Sequence, residues 1–117
     1  MRKIVFAMLF ASTFILAGGF VSLKSPSKSE AISSVKEALA AKDDEKVSIK
    51  GYIKKSLGDE KYEFRDLNGD SIIIEIDDDK WGGVSADEET LLEIYGEVDD
   101  NKFKKNEIDV KKLRLVK

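Results

Sequence analysis

One hundred and seventeen residues are enough for one small domain and little more. The lack of cysteine and histidine excludes a disulfide framework and a thiol nucleophile. It also removes the side chains most used for transition metals and for acid–base work near neutrality. With 20 basic and 23 acidic residues the chain is acidic, which argues against a nucleic-acid partner, because phosphate backbones select the opposite bias.

The first residues have the pattern of an export signal. Arg2 and Lys3 form a positive start, Ile4 to Leu16 an apolar run, and Ala17-Gly18-Gly19 a small-residue site for cleavage before Phe20. Apolar character persists to Val21, so an uncleaved N-terminal anchor is the alternative. Without cysteine at the site, a lipid-modified N-terminus is excluded. The expected organisation is a signal peptide over 1–19, a linker over 20–29 containing Pro26, and a domain over 30–117 in the periplasm. Removal of Arg2 and Lys3 leaves 18 basic against 23 acidic residues, a net charge of −5.

Ser27 and Glu30 have capping-box spacing ahead of Ile32, Val35, Ala38 and Leu39, which predicts an amphipathic helix over about 28–41. Val47, Ile49, Gly51 and Ile53 alternate along a first strand near 46–56, with Gly51 placed for a sharp bend. Leu57-Gly58-Asp59-Glu60 turns into a second strand carrying Tyr62 and Phe64. Asn68-Gly69 predicts a type I′ hairpin into a third strand with Ile72, Ile74 and Ile76. Ile73 breaks the alternation and is expected to lie under the helix or a loop. Asp77 to Val84 is a connection, and Ser85 with Glu88 has the spacing to cap one helical turn. Thr90 to Val98 is the fourth strand and Phe103 to Val116 the fifth, with Asp99-Asp100-Asn101-Lys102 between them. Apolar parity shifts between Ile108/Val110 and Leu113/Leu115, so a β-bulge is expected near Lys111-Lys112. The pattern predicts a mainly β chain: a five-stranded OB-fold-like barrel with one N-terminal α-helix, or alternatively a small open β-roll.

Several motifs in order resemble one family. They are Gly51-Tyr52-Ile53, Tyr62-Glu63-Phe64-Arg65-Asp66 followed by Asn68-Gly69, Glu75-Ile76-Asp77, Trp81-Gly82-Gly83, Gly96-Glu97-Val98-Asp99 and Glu107-Ile108-Asp109-Val110. Over residues 31–116 the chain is similar to the bacterial OB-fold (BOF) family, the YgiW/YdeI-type stress-tolerance proteins of the periplasm. The resemblance implies an exported five-stranded barrel that does not bind nucleic acid. It also implies a role in tolerance of envelope stress, with small-molecule or cell-wall-fragment binding. The family supplies no catalytic residues to carry over. The short connection after the third strand departs from an OB-fold with a full helix there.

Some residues suggest chemistry directly. Asp66 to Asp70, with Asp77 twelfth in line, imitates the opening of a calcium loop, but its glycine is misplaced and a strand follows, so a hairpin turn is expected. Asp77-Asp78-Asp79 is expected to be a solvated connection, with weak cation binding as the alternative. Trp81 is read as the plug of one barrel end, or else as a stacking platform. Tyr52, Tyr62 and Arg65, joined by Trp81, form the candidate ligand-binding set, an aromatic and basic face of the kind OB-folds offer to sugars. Asp66, Asp77 and Asp109 are the carboxylates a glycosidase could use, but no nucleophile motif accompanies them.

The expectation is therefore a non-enzymatic binding module without cofactor, catalytic residues or metal. Its partner would be a small molecule, a peptidoglycan fragment or an envelope protein, with no membrane contact after signal cleavage. A small envelope hydrolase or a weak divalent-cation binder is the alternative.

Overall fold

The computed structural model describes residues 31–117; the expected signal peptide, the linker and the Ser27–Glu30 cap lie outside the described residues. A short helix, α1 (Val35–Leu39), precedes five strands: β1 (Lys46–Gly58), β2 (Lys61–Asp66), β3 (Ser71–Glu75), β4 (Leu92–Asp99) and β5 (Glu107–Leu115). A 3-10 turn over Asp78–Lys80 lies between β3 and β4. The strands close into a barrel in the order β1-β2-β3-β5-β4, with β3 and β5 parallel and the other pairs antiparallel. This is the OB-fold order, and it excludes the open roll.

The long β1 serves two neighbours because it bends at Gly51, which pairs with Leu92 of β4 on one side and Asp66 of β2 on the other. A Cβ on Gly51 would overlap the Arg65 carbonyl oxygen and lie 2.9 Å from the Asp66 Cα. Gly96 plays the same part where β4 meets β5, since a Cβ there would overlap the Asp109 carbonyl oxygen. Beside it the register jumps: Tyr95 pairs with Lys112 but Gly96 with Val110. Lys111 is thus the extra residue of the expected bulge, and the strand twists there to close the barrel.

Inward side chains fill the barrel. Phe64, Ile49, Ile74, Leu92, Ile94, Ile108 and Val110 are fully buried, and Val35 and Ala38 of α1 join them. Each large side chain so buried contributes about 1.5–3 kcal/mol, and together they replace the disulfides the chain lacks. Residues 31–117 make one compact unit that holds the five described strands and this core.

Four expectations change. The helix is five residues, not fourteen, because Ile32 is held extended by a bridge to Val47 and Ser34 caps the helix in its place. Ser34 Oγ accepts the Glu37 N–H at 3.2 Å, and the Glu37 carboxylate accepts the Ser33 N–H. The pair of positive φ angles expected at Asn68-Gly69 occurs in the first hairpin instead. Asp59 and Glu60 both hold positive φ between the paired Gly58 and Lys61, whereas in the second hairpin only Gly69 does. There Asp66 Oδ1 accepts the N–H groups of Asn68 (3.0 Å) and Asp70 (3.1 Å), which pulls the turn into a different shape. Ser85 and Glu88 cap no helix; Asp87 and Thr90 form a turn through paired side-chain and backbone bonds. Finally, β5 begins at Glu107, and Phe103 stands in solvent at 95 % exposure.

Asp66 carries a third bond: its Oδ2 accepts the Val35 N–H at 2.8 Å, tying the helix start to the end of β2. Asp66 is 4 % exposed and Val35 fully buried, so loss of this bond leaves a shielded donor unsatisfied. Asp66→Ala is expected to cost about 3 kcal/mol and to lower the melting temperature by about 15 °C. Asp66→Asn should keep the turn but set an amide donor against the Val35 N–H, so hydrogen exchange would quicken at Val35 while Asn68 and Asp70 stay protected. Gly96→Ala should cost at least about 2 kcal/mol by forcing two strand backbones apart, measurable by urea unfolding.

Candidate functional site

The outer face of β1, β2 and β3 is built in rows set by register. Tyr52 pairs with Arg65 and Arg65 with Ser71, making one row. A bulge between Ile53 and Lys55 then shifts β1, so that Lys55 faces Glu63, and Glu63 pairs with Ile73. Past the second row an open groove of about 490 Å³ runs between this face, the end of α1 and the segment before β5. Leu39, Leu57 and Ile73 supply its apolar surface, and Lys55, Lys104 and Lys105, with Glu63 and Glu107, its charged groups. Ile73 is thus not covered as expected; it is 37 % exposed to the groove.

One side chain holds the far wall. Asn106 Nδ2 donates toward the carbonyls of Ala38 (3.0 Å), Leu39 (3.3 Å) and Ala41 (2.9 Å) where the chain leaves the helix, and the Ala38 carbonyl also accepts the Ala41 N–H. Glu107 is engaged by Lys61 at 3.0 Å. Among the described residues, Lys55, Lys104 and Lys105 make no ion pair, so their charge is available to a ligand.

The four candidate residues divide into two pairs. Tyr52 and Arg65 lie side by side on the outer face, one row from the groove, with Lys54 Nζ 5.7 Å from the Tyr52 ring centre. Tyr62 does not share that face. It has the inward parity of Phe64 and packs against the core, in edge contact with Trp81 at 5.8 Å between ring centres. Trp81 is itself half-buried against the core. The parity of Tyr62 with Phe64 was visible in the sequence. The groove residues Lys55, Leu57 and Lys104 had no such signal, because a bulge and a loop bring them together.

Asp66 is absorbed by the turn and the helix, and Asp109 is paired with Lys111 at 3.0 Å. Asp77, Asp78 and Asp79 are exposed. Sequence reasoning missed a different acidic group, Glu60, Glu75 and Asp77, whose carboxylate oxygens come within 4.8 Å of one another. Glu60 accepts the Asp78 N–H at 2.9 Å, so it also secures the 3-10 turn. Burial raises the Glu75 pKa above its ordinary value of 4.5, and the neighbouring Asp109 and Asp77 raise it further. A raised carboxylate pKa means that the folded state binds the proton more tightly, so ionised Glu75 destabilises the fold at neutral pH. Glu75→Gln is therefore expected to raise the melting temperature at neutral pH. That gain should shrink as pH falls through the raised pKa and vanish below 4.5, checked by thermal melts across pH.

Comparison with known proteins follows the same outline. The family model for bacterial OB fold (BOF) proteins matches residues 12–115. An uncharacterised protein of Haemophilus influenzae is 34 % identical over 122 residues, spanning 100 % of this chain and 98 % of its own. The calcium-regulated OB-fold protein CarO of Pseudomonas aeruginosa is 36 % identical over 106 residues, 91 % of this chain and 87 % of its own. The solved structure of YgiW from Escherichia coli matches with a TM-score of 0.68 at 36 % identity, covering 86 % of this chain and 100 % of that one. With its barrel closed in OB order and its sequence matched almost end to end, this chain belongs to the bacterial OB-fold (BOF) family.

Proposed function

We propose that this chain is an exported, non-catalytic binding module that helps the bacterial envelope tolerate stress by holding a small ligand, with a cell-wall fragment the best candidate. The observation that carries the reading is the groove on the outer face of β1–β3, beside the first hairpin and the β4–β5 connection. OB-folds take oligosaccharides and oligonucleotides on that side. Its volume of about 490 Å³ suits a small molecule, and its unpaired lysines suit an anion. Peptidoglycan fragments combine carboxylates with apolar methyl groups and sugar rings, which matches lysines around an apolar floor. Export is supported by the signal pattern at the N-terminus, and the stress role by the family resemblance.

The alternatives draw less support. A hydrolase needs convergent free carboxylates in a cleft, yet Asp66 is saturated by backbone donors and Asp109 is paired. A divalent-cation site would rest on the Glu60, Glu75 and Asp77 cluster alone.

Titration of the amide NMR spectrum of residues 31–117 with soluble peptidoglycan fragments tests the reading. Shifts are expected at Lys55, Leu57, Glu63, Ile73 and Lys104, extending to Tyr52 and Arg65. Ile73→Asp should weaken binding by about tenfold, by removing apolar contact and adding an opposing charge. Unmoved spectra would remove the cell-wall reading, and shifts confined to Tyr62 and Trp81 would move the site to that aromatic pair. Calcium in the same experiment serves as the control: shifts at Glu60, Glu75 and Asp77 would give the cation alternative priority.

A further inference from the structure

The groove is concave, but the loop beside it is convex, and the two call for different partners. Asn101 Oδ1 accepts the Phe103 N–H and the Asn101 carbonyl accepts the Lys104 N–H, both at 3.0 Å. This tight turn presents Lys102-Phe103-Lys104-Lys105 at the surface. Phe103 is the most exposed large apolar side chain among the described residues, at 95 %. It therefore gives nothing to the core, and leaving an aromatic ring in water is unfavourable for an isolated chain.

We propose that this loop docks the domain onto a lipid bilayer carrying anionic phospholipid, with Phe103 inserted at the headgroup level and Lys102, Lys104 and Lys105 against the phosphates. An apolar side chain set among lysines is the arrangement that interfacial binding selects, because burial and charge attraction add at one point. A protruding side chain needs a medium that yields around it, which a bilayer does; a protein partner would have to supply a fitted cavity. Glu107 is neutralised by Lys61, while Asp100 and the Asp43 carboxylate that accepts its N–H lie at the base of the turn and leave Lys102, Lys104 and Lys105 as the charged groups of its tip. Lys55 and the exposed Leu57 lie across the groove from Lys104 and extend the basic, apolar surface. No membrane contact was expected after signal cleavage; the net negative charge of the chain conceals three lysines gathered at one loop tip.

The test is co-sedimentation of residues 31–117 with vesicles, since the apolar run from Ile4 to Val21 would bind lipid by itself. Binding is expected to vesicles of mixed phosphatidylglycerol and phosphatidylcholine, to be absent with phosphatidylcholine alone, and to weaken as salt rises. Phe103→Ala should reduce partitioning by about tenfold. Replacing Lys102, Lys104 and Lys105 together by Gln should reduce it by about a hundredfold. Leu67→Ala, at the exposed tip of the other hairpin, should leave it unchanged. The loop makes no core contact through Phe103, so the variants should melt like the parent. Equal binding to both vesicle types, no binding to either, or insensitivity to the loop substitutions would each overturn the proposal. So would a Phe103-dependent dimer, or capture of an acidic peptide, without vesicle binding. The outcome is separable from the ligand reading, because Phe103→Ala should leave the peptidoglycan-induced shifts at Ile73 in place.

Discussion

The fold turns on one buried carboxylate. Asp66 ends β2 in the inward register, two residues beyond Phe64, and there its two oxygens meet three backbone donors from separate parts of the chain. Two belong to the hairpin it introduces and one to the first residue of α1, 31 positions earlier. An anion shielded from water is costly unless its lone pairs are taken, and here backbone groups that would otherwise lack partners take them. Gly51 makes the arrangement fit, since Asp66 is its cross-strand neighbour and a side chain on Gly51 would collide with β2. The bend in β1, the shape of the second hairpin and the seat of the helix are therefore a single constraint.

At the opposite end of the helix the same economy recurs. Asn106 collects the carbonyls of Ala38, Leu39 and Ala41 and in doing so fixes the segment that walls the groove. Structural duty thus falls on residues that point inward or sit at the helix ends. The outer face of β1–β3 is left with Leu57 and Ile73 uncovered and several lysines unpaired. A surface with no work in the fold and with apolar area facing water is where a binding role is best sought.

Much of the barrel was legible because period-two alternation, the glycines at 51 and 96 and the parity shift around Lys111 each have a local physical cause. The helix was not, because its start depends on Ile32 pairing with Val47 and on an acceptor from Asp66, neither visible within one helical window. The second turn departed from its expected type for a related reason. Asn-Gly has the right φ preferences for one turn, but the adjacent Asp66 side chain offered the backbone a better acceptor and selected another. Of the candidate site, Tyr52 and Arg65 were placed on the right face, while Tyr62 went with the core as the parity of Phe64 required. The groove itself had no signature, since Lys104 and Lys55 are distant in sequence and meet only through the bulge and the Asn106 anchor.

Charge shows why composition and placement must be read separately. A net of −3 over the chain describes its long-range field, which acts on solubility and encounter. Contact is decided within a Debye length, about 8 Å at physiological salt, and at that scale the β4–β5 loop is basic while the Glu60, Glu75 and Asp77 group is acidic. Burial, with Asp109 and Asp77 nearby, raises the Glu75 pKa, so the charge on that carboxylate costs fold stability, whereas the lysines of the loop and groove make no ion pair among the described residues. A ligand can therefore meet the basic surface without breaking an ion pair of the fold.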